Sequence, residues 1–242
     1  MNKRQRLNRE LDMTELVLVE LEEGIGELVL NRPARRNSLI GPMVNELAEG
    51  LRSLSSNADC NVIIIRGNEG YFCAGLDLKA FAEDPPPAWR AHFNNDWLNF
   101  HNDIFNCPKP VLGALEGFAI AGGSALAFAC DFLVVGKNSF LHVAEVEKGL
   151  KAPINTAWLS IRFSYACALK ILVQGQRYYG DELVDLGIAD RCVEEVDVLQ
   201  ATRELGRRLA GFDPGVVQSM KRSLCRAKGL DNFLTIVEKI SR

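Results

Sequence analysis

Three apolar runs predict the central strands of this chain. They cover Val62–Gly67, Val111–Leu115 and Phe132–Gly136, and such runs are typical of strands buried inside a sheet. Nearer the start, residues 15–20 and 27–30 carry alternating or apolar patterns on either side of a glycine-rich turn. That arrangement predicts two further strands.

Helical spacing of apolar residues predicts most of the remaining structure. Between residues 41 and 54 apolar side chains recur at helical intervals, and a polar-aromatic helix is expected over 88–106. A short strand is expected near Phe140, and from Pro153 the pattern is helical to the end. The later helices are predicted over 165–173, 180–186, 198–209 and 214–226, the last with Asp213 as N-cap and Pro214 as first residue. These elements indicate an α/β protein with a helical C-terminal region.

Two glycine-containing loops follow buried strands, over residues 71–81 and 116–132. The second loop holds Gly122 and Gly123 directly before a small, apolar segment. The first amides of a helix have no partner within it and lie at the positive end of its dipole, so they attract an anion. Two amides from two such loops can form an oxyanion hole. The alternative for the glycine pair is a tight turn into a buried helix.

Composition excludes two classes of partner. The 242 residues carry a net charge of −3, with no basic block in the body of the chain, which argues against a nucleic-acid surface. No apolar run approaches the roughly 20 residues that cross a bilayer. Residues 1–13 are polar and are expected to form a flexible tail, and Glu10 and Asp12 argue against a mitochondrial targeting segment.

Cysteine and histidine usage predicts no metal and a reducing compartment. The seven cysteines are scattered without a C-x-x-C pair, so we expect neither disulfides nor a zinc site, and a cytoplasmic location fits best. The three histidines have no spacing that pairs them as ligands. Gly24-Ile25-Gly26 lacks the third glycine and the following helix of a dinucleotide fingerprint, so an oxidoreductase is disfavoured.

Four motifs together resemble the crotonase (enoyl-CoA hydratase/isomerase) superfamily. They are NRPARRNSL, FCAGLDL, AGGSALAFACD, and Glu145 followed by Gly149 and then Ala152-Pro153. The resemblance runs from about Leu16 to the C-terminal helices. It implies a crotonase-like spiral of ββα units over residues 14–196, and a helical region over 197–242 for coenzyme A contact and oligomerisation. It also implies a homotrimer or dimer of trimers, an acyl-CoA thioester substrate and no separate cofactor.

The same resemblance assigns binding residues by position. The oxyanion hole would use the backbone amides of Leu76 and Gly122. Arg32 and Lys79 are possible phosphate neighbours, each equally consistent with a solvated surface charge, and Lys221 is a weaker candidate. The residues expected around the substrate and its coenzyme A portion are Arg32, Ser38, Ala74, Gly75, Leu76, Asp77, Leu78 and Gly122.

One glutamate stands where the superfamily's hydratases use two. The first of the two positions falls on Ala125, which cannot transfer a proton, and the second falls on Glu145. Glu147 is the competitor for that role, and His142 is a neighbouring polar group more consistent with packing. One carboxylate suits moving a proton within one substrate, and the local sequence resembles the Δ3,Δ2-enoyl-CoA isomerase branch.

An isomerase is therefore the favoured hypothesis. The alternatives are an enoyl-CoA hydratase, a hydrolase or decarboxylase of acyl-CoA, and a scaffold that binds coenzyme A without chemistry. A positioned base near the α-carbon and two fixed donors at the thioester oxygen are what the isomerase reaction requires.

Overall fold

The computed structural model describes residues 15–230 and 232–241, so the tail expected over 1–13 lies outside the described residues. The strands within this range are β1 (Val17–Glu22), β2 (Ile25–Leu30), β3 (Val62–Gly67), β4 (Val111–Leu115), β5 (Phe118–Ile120), β6 (Phe132–Gly136), β7 (Phe140–His142), β8 (Tyr178–Tyr179) and β9 (Arg191–Val193). The helices are α1 (Gly41–Ser56), α2 (Leu78–Phe81), α3 (Phe93–Asn106), α4 (Gly122–Ala129), α5 (Pro153–Arg162), α6 (Tyr165–Val173), α7 (Gly180–Asp185), α8 (Val198–Ala210), α9 (Pro214–Ala227) and α10 (Phe233–Ser241).

The larger sheet holds six strands in the order β1-β2-β3-β4-β6-β9. β1 and β2 form an antiparallel hairpin, and each later pair of neighbours is parallel. Side chains of β3 alternate between the faces. Ile63 and Ile65 join the larger apolar core with α1 and α3, whereas Val62 and Ile64 pack beneath α8. Both faces are covered, which confirms the predicted buried strands.

A second sheet holds three strands in the order β5-β7-β8. In the chain, β5 directly follows β4, and β7 directly follows β6. The chain therefore runs β4-β5-α4 and then β6-β7-α5, which are two consecutive ββα units. After β3 the second strand of such a unit is reduced to one bridge, between Cys73 and Ala119. This repeated plan, followed by α8, α9 and α10, confirms the predicted fold class.

The prediction that the chain is helical from Pro153 to its end is wrong at two places. β8 pairs with β7, and β9 pairs with β6 at the edge of the larger sheet. β5 also lies outside the predicted elements. Strands of two or three residues are too short to show an apolar alternation, and hydrogen bonds to distant strands create them.

Most helix boundaries follow the predicted apolar spacing. The side chain of Asp213 accepts a hydrogen bond from the Val216 amide at 2.9 Å, which confirms the N-cap of α9. The helix expected over 88–106 begins only at Phe93, because Ala88–Ala91 forms a 3₁₀ turn. No helix in the part of the chain that the structure describes combines the length and apolar character needed to cross a bilayer.

A buried ion-pair cluster joins α8 to the hairpin edge of the larger sheet. The carboxylate of Glu27, on β2, accepts from Arg66 Nε at 2.6 Å and from Arg203 Nε at 2.5 Å. Burial raises the pKa of Glu27, but the hydrogen bonds from Arg203 and Arg66 outweigh it and hold that pKa below its ordinary value. The ionised form is therefore part of the fold.

Glu27→Gln should lower the free energy of unfolding by about 2 kcal/mol, because it leaves two arginines without their buried partner. A carboxyl whose folded pKa is lowered stabilises the protein above its unfolded pKa and loses that contribution as the pH falls through its folded pKa. The difference from wild type should therefore shrink in acid. Denaturant unfolding at several pH values measures both effects.

The control is Glu20→Gln, because Glu20 is 51% exposed and approaches the same Arg66 at 3.6 Å. Its effect should stay below about 1 kcal/mol. Equal losses for the two variants, or a Glu27→Gln loss that does not change with pH, would contradict the assignment.

Candidate active site

The two glycine loops lie directly against each other. A Cβ at Gly75, which has φ +80°, would stand 2.6 Å from the Ile120 carbonyl oxygen and 3.4 Å from the Gly122 amide nitrogen. A Cβ at Gly123 would overlap the carbonyl oxygen of Cys73. Because neither position has room for a side chain, the backbone at Gly75 lies directly against the backbone that begins α4 at Gly122. The roles of the Leu76 and Gly122 amides remain predictions.

Backbone hydrogen bonds fix the orientation of the first loop. Leu39 pairs with Leu76 in a parallel bridge: the Leu39 amide donates to the Gly75 oxygen at 2.8 Å, and the Asp77 amide donates to the Leu39 oxygen at 2.9 Å. Successive amides of an extended chain point to opposite sides. The Leu76 N–H is therefore directed away from Leu39.

Ala121 directs the Gly122 amide, the second proposed oxyanion donor. It precedes the first residue of α4 with φ +51° and ψ −111°, a conformation that side-chain-bearing residues rarely adopt and that costs on the order of 1–3 kcal/mol. Its amide donates to the His142 oxygen at 2.9 Å, and its own oxygen accepts from the Ala125 amide at 3.1 Å. These bonds hold the peptide that carries the Gly122 N–H.

Ser124 joins the start of α4 to two strands of the second sheet, β5 and β7. Its buried hydroxyl lies 2.9 Å from the carbonyl oxygens of Ala119 and His142. One hydroxyl proton serves one acceptor at a time. The contact supports the start of the helix.

Glu145 brings a carboxylate to the same region. It follows β7 and opens the 3₁₀ turn Val146–Lys148. Its Oε1 accepts from Asn155 Nδ2 at 3.1 Å, while its buried Oε2 has no hydrogen-bond partner among the described residues. Burial raises the pKa of Glu145. A half-buried carboxylate with one unpaired oxygen suits the uptake and release of a proton.

Glu147, the competing carboxylate, lies near His142 and is exposed to solvent. Its side chain is 51% exposed, and its Oε1 lies 3.3 Å from Nε2 of His142. That distance is in the ion-pair range, but the angles are not those of a hydrogen bond. His142 itself is largely buried, which agrees with a packed histidine. Ala125, the other position considered for an acid, is buried on α4.

Arg32, Ser38 and Asp77 come together as a buried group. Arg32 Nη2 lies 3.2 Å from Asp77 Oδ2, and Arg32 Nη1 donates to the Ser38 carbonyl. Asp77 also caps α2 by accepting from the Ala80 amide at 3.1 Å. Burial raises the pKa of Asp77, but the bonds from Ala80 and Arg32 outweigh it, and the pKa is lowered. Arg32 is thus a paired, 15% exposed side chain, not a solvated charge.

The remaining residues predicted to bind the substrate make separate contacts. The Ala74 amide donates to the Arg36 oxygen at 3.1 Å, Leu78 is 57% exposed and Lys79 is also exposed. Lys221 Nζ instead lies 2.6 Å from Asp131 Oδ2, where it fixes α9 to the end of α4. Their contacts with coenzyme A remain predictions.

Asn155 is a residue of the site that the sequence does not indicate. It is 2% exposed in the first turn of α5, and its amide nitrogen reaches both the carboxylate of Glu145 and the carbonyl of Ala121. The available signal in the sequence is a polar residue in the turn that Pro153 begins. Among residues 15–230 and 232–241, no three metal-ligating side chains gather at one point, and the expected absence of a metal remains a prediction.

The sequence and the fold both match known proteins. The family model described as Enoyl-CoA hydratase/isomerase matches residues 20–236. The human protein named Enoyl-CoA hydratase domain-containing protein 2, mitochondrial, is 34% identical over 191 residues, which cover 78% of this chain and 65% of that protein. The rat protein named Delta(3,5)-Delta(2,4)-dienoyl-CoA isomerase, mitochondrial, is 30% identical over 208 residues, covering 81% and 64%. This chain spans just under two thirds of both.

A solved structure shows the same architecture. The crystal structure of an enoyl-CoA hydratase/isomerase from Xanthobacter autotrophicus Py2 superposes with a TM-score of 0.84 at 27% identity, covering 94% of this chain and 85% of that one.

The carboxyl of Glu145 should titrate above the ordinary glutamate value of 4.5, because burial raises its pKa. Protein labelled with ¹³C at the glutamate carboxyl carbons, followed by NMR through the acid range, measures this titration. Loss of the signal in Glu145→Gln assigns it, and Glu147→Gln serves as the control. A Glu145 signal that titrates at or below 4.5 would contradict the description of the site.

Proposed function

Because the chain belongs to the enoyl-CoA hydratase/isomerase family, we propose that it shifts the double bond of an enoyl-CoA thioester. The observation that carries this proposal is the carboxylate of Glu145, half-buried, held at one oxygen and unpaired at the other. Asn155 joins it to Ala121, which directly precedes α4. On that helix, Ala125 stands at the position of a second acid. One proton carrier is sufficient for isomerisation.

The proposed reaction has two proton transfers and no other reactant. Glu145 removes a proton from C2 of a 3-enoyl-CoA, and the electron pair moves into the thioester carbonyl. The Leu76 and Gly122 amides donate to the oxygen as it becomes negative. Glu145 then returns the proton at C4 of the dienolate, which gives the 2-enoyl-CoA. The base contributes roughly 10²–10⁴ in rate and each oxygen donor roughly 10²–10³.

Hydration is the second candidate, because the family includes hydratases. It requires a positioned water, proton removal from that water and proton delivery to C2, which two carboxylates accomplish more readily than one. The methyl group of Ala125 offers no acid or base. Isomerisation is therefore favoured, and hydrolysis or decarboxylation has no specific support in the geometry.

The proposal extends to substrate binding, assembly and location. The coenzyme A portion would lie along Ser38 and residues 74–78. We also propose a homotrimer or dimer of trimers, because large apolar side chains are exposed on two C-terminal helices. On α6 and α9 these are Tyr165, Leu169, Val173, Val216, Met220 and Leu224. The seven free cysteines suit a reducing compartment, which we take to be the cytoplasm.

Glu145→Gln should lose roughly 10²–10⁴ of the rate of 3-enoyl to 2-enoyl conversion while retaining its affinity for coenzyme A, because the amide cannot carry the proton. The absorbance of the conjugated enoyl-thioester follows the reaction. Glu147→Gln is the matched control and should remain close to wild type. A loss below about tenfold for Glu145→Gln, or a wild type that hydrates 2-enoyl-CoA faster than it isomerises 3-enoyl-CoA, would overturn the proposal.

Gly122→Pro should lower turnover by roughly 10²–10³, because proline has no N–H to donate to the thioester oxygen. Gly122→Ala retains the amide, and its Cβ would stand 3.3 Å from Leu39 Cδ1, a tight contact that a small shift of that leucine relieves. Turnover is compared among variants whose circular dichroism matches wild type. If a folded Gly122→Pro is as active as Gly122→Ala, the amide at 122 is not a donor.

A further inference from the structure

One side chain contacts both halves of the proposed machinery. Asn155 Nδ2 lies 3.1 Å from Oε1 of Glu145 and 3.3 Å from the carbonyl oxygen of Ala121. A side-chain amide nitrogen carries two hydrogens, so it can serve both acceptors together. The base and the loop that begins α4 are thereby joined through a single buried group.

The contact with Ala121 acts on the peptide that supplies the Gly122 N–H, the proposed oxyanion donor. The carbonyl of Ala121 and the N–H of Gly122 belong to one planar peptide unit, so a bond to the oxygen restricts the direction of the N–H. The same oxygen accepts from the Ala125 amide. Asn155 and the Ala125 amide therefore both hold the peptide between Ala121 and Gly122, and Ala121 itself is in a strained conformation.

We propose that Asn155 is a positioning residue that fixes the carboxylate of Glu145 relative to the peptide supplying the Gly122 amide. This inference rests on the proposed function. Asn155 binds Oε1 and leaves Oε2 to accept the proton from C2 and to return it at C4. Neither transfer requires the carboxyl group to leave its place.

The orientation of the Asn155 amide follows from its neighbours. Both contacts are with oxygens, one of a carboxylate and one of a carbonyl, and neither can donate while Glu145 is ionised. The nitrogen must therefore face them. Asn155 is 2% exposed and lies in the first turn of α5, two residues after Pro153, so its backbone is well fixed.

The charges around Glu145 predict the effect of losing this donor. Burial raises the pKa of Glu145, and its own backbone N–H, Lys148 on the same turn, His142 on β7 and the bond from Asn155 on α5 act in the opposite direction. Ala121, which precedes α4 and accepts from Asn155, carries no titratable side chain. Removing the donor while Lys148 and His142 remain should raise the pKa of Glu145.

Three variants test the inference. Asn155→Ala removes the donor, and Asn155→Asp keeps the size but replaces the donor with a second carboxylate beside Glu145. Thr156→Ala is the control, because the Thr156 hydroxyl donates to the oxygen of Ala152, the residue just before α5, and not to Glu145 or Ala121. The measurements are kcat, KM, the pH dependence of kcat, thermal unfolding and the ¹³C titration of Glu145.

Asn155→Ala should lower kcat by about 10- to 100-fold, as expected for a misplaced reacting group, with KM changed by less than about threefold. The acid limb of the kcat profile and the NMR titration of Glu145 should both move to higher pH in the order wild type, Asn155→Ala, Asn155→Asp. Thr156→Ala should leave both where they are. A purely structural role would lower thermal stability without this order.

The inference is overturned if the titration of Glu145 is the same in wild type and both Asn155 variants, or if their kcat matches that of Thr156→Ala. Should Asn155→Ala fail to fold, the isosteric Asn155→Asp decides. An active Glu145→Gln would instead refute the proposed function, while the NMR titration, which needs no substrate, still tests the contact between Asn155 and Glu145.

Discussion

The backbones of two loops can meet in this protein only where side chains are missing. A Cβ at Gly75 would stand 2.6 Å from the Ile120 oxygen, and one at Gly123 would overlap the Cys73 oxygen. Since the two loops follow β3 and β4, which are parallel neighbours in one sheet, both loops begin at the same edge of that sheet. Everything in the proposed chemistry that involves the Leu76 and Gly122 amides depends on that contact.

Charge pairing distinguishes Glu145 from the other buried carboxylates discussed above. Glu27 pairs with two arginines, Asp77 pairs with Arg32, and Asp131 pairs with Lys221 and Arg162, so each is ionised as part of the fold. Glu145 has only the neutral amide of Asn155 as a side-chain hydrogen-bond partner within the described residues, and burial raises its pKa. A carboxyl in that state can accept and release a proton without breaking an ion pair.

How much of this could be predicted from the sequence depended on the range of the interactions. β3, β4 and β6 are apolar because both faces of the sheet are covered, so their bounds were predictable. β5, β8 and β9 exist through pairing with distant strands and leave no local pattern. Recognisable motifs contain Glu145, Leu76 and Gly122, although the roles of these residues remain predictions. Asn155 did not, because its contact with Ala121 spans 34 positions and arises only on folding.

A labelled substrate tests the single-carboxylate mechanism most directly. A 3-enoyl-CoA that carries deuterium at C2 would be converted in ordinary water, and the 2-enoyl-CoA product analysed for the position of the label. If Glu145 both removes and returns the proton, a substantial part of the deuterium should appear at C4. Complete loss of the label to water, with 3-hydroxyacyl-CoA as the main product, would contradict transfer by one carboxylate and favour hydration.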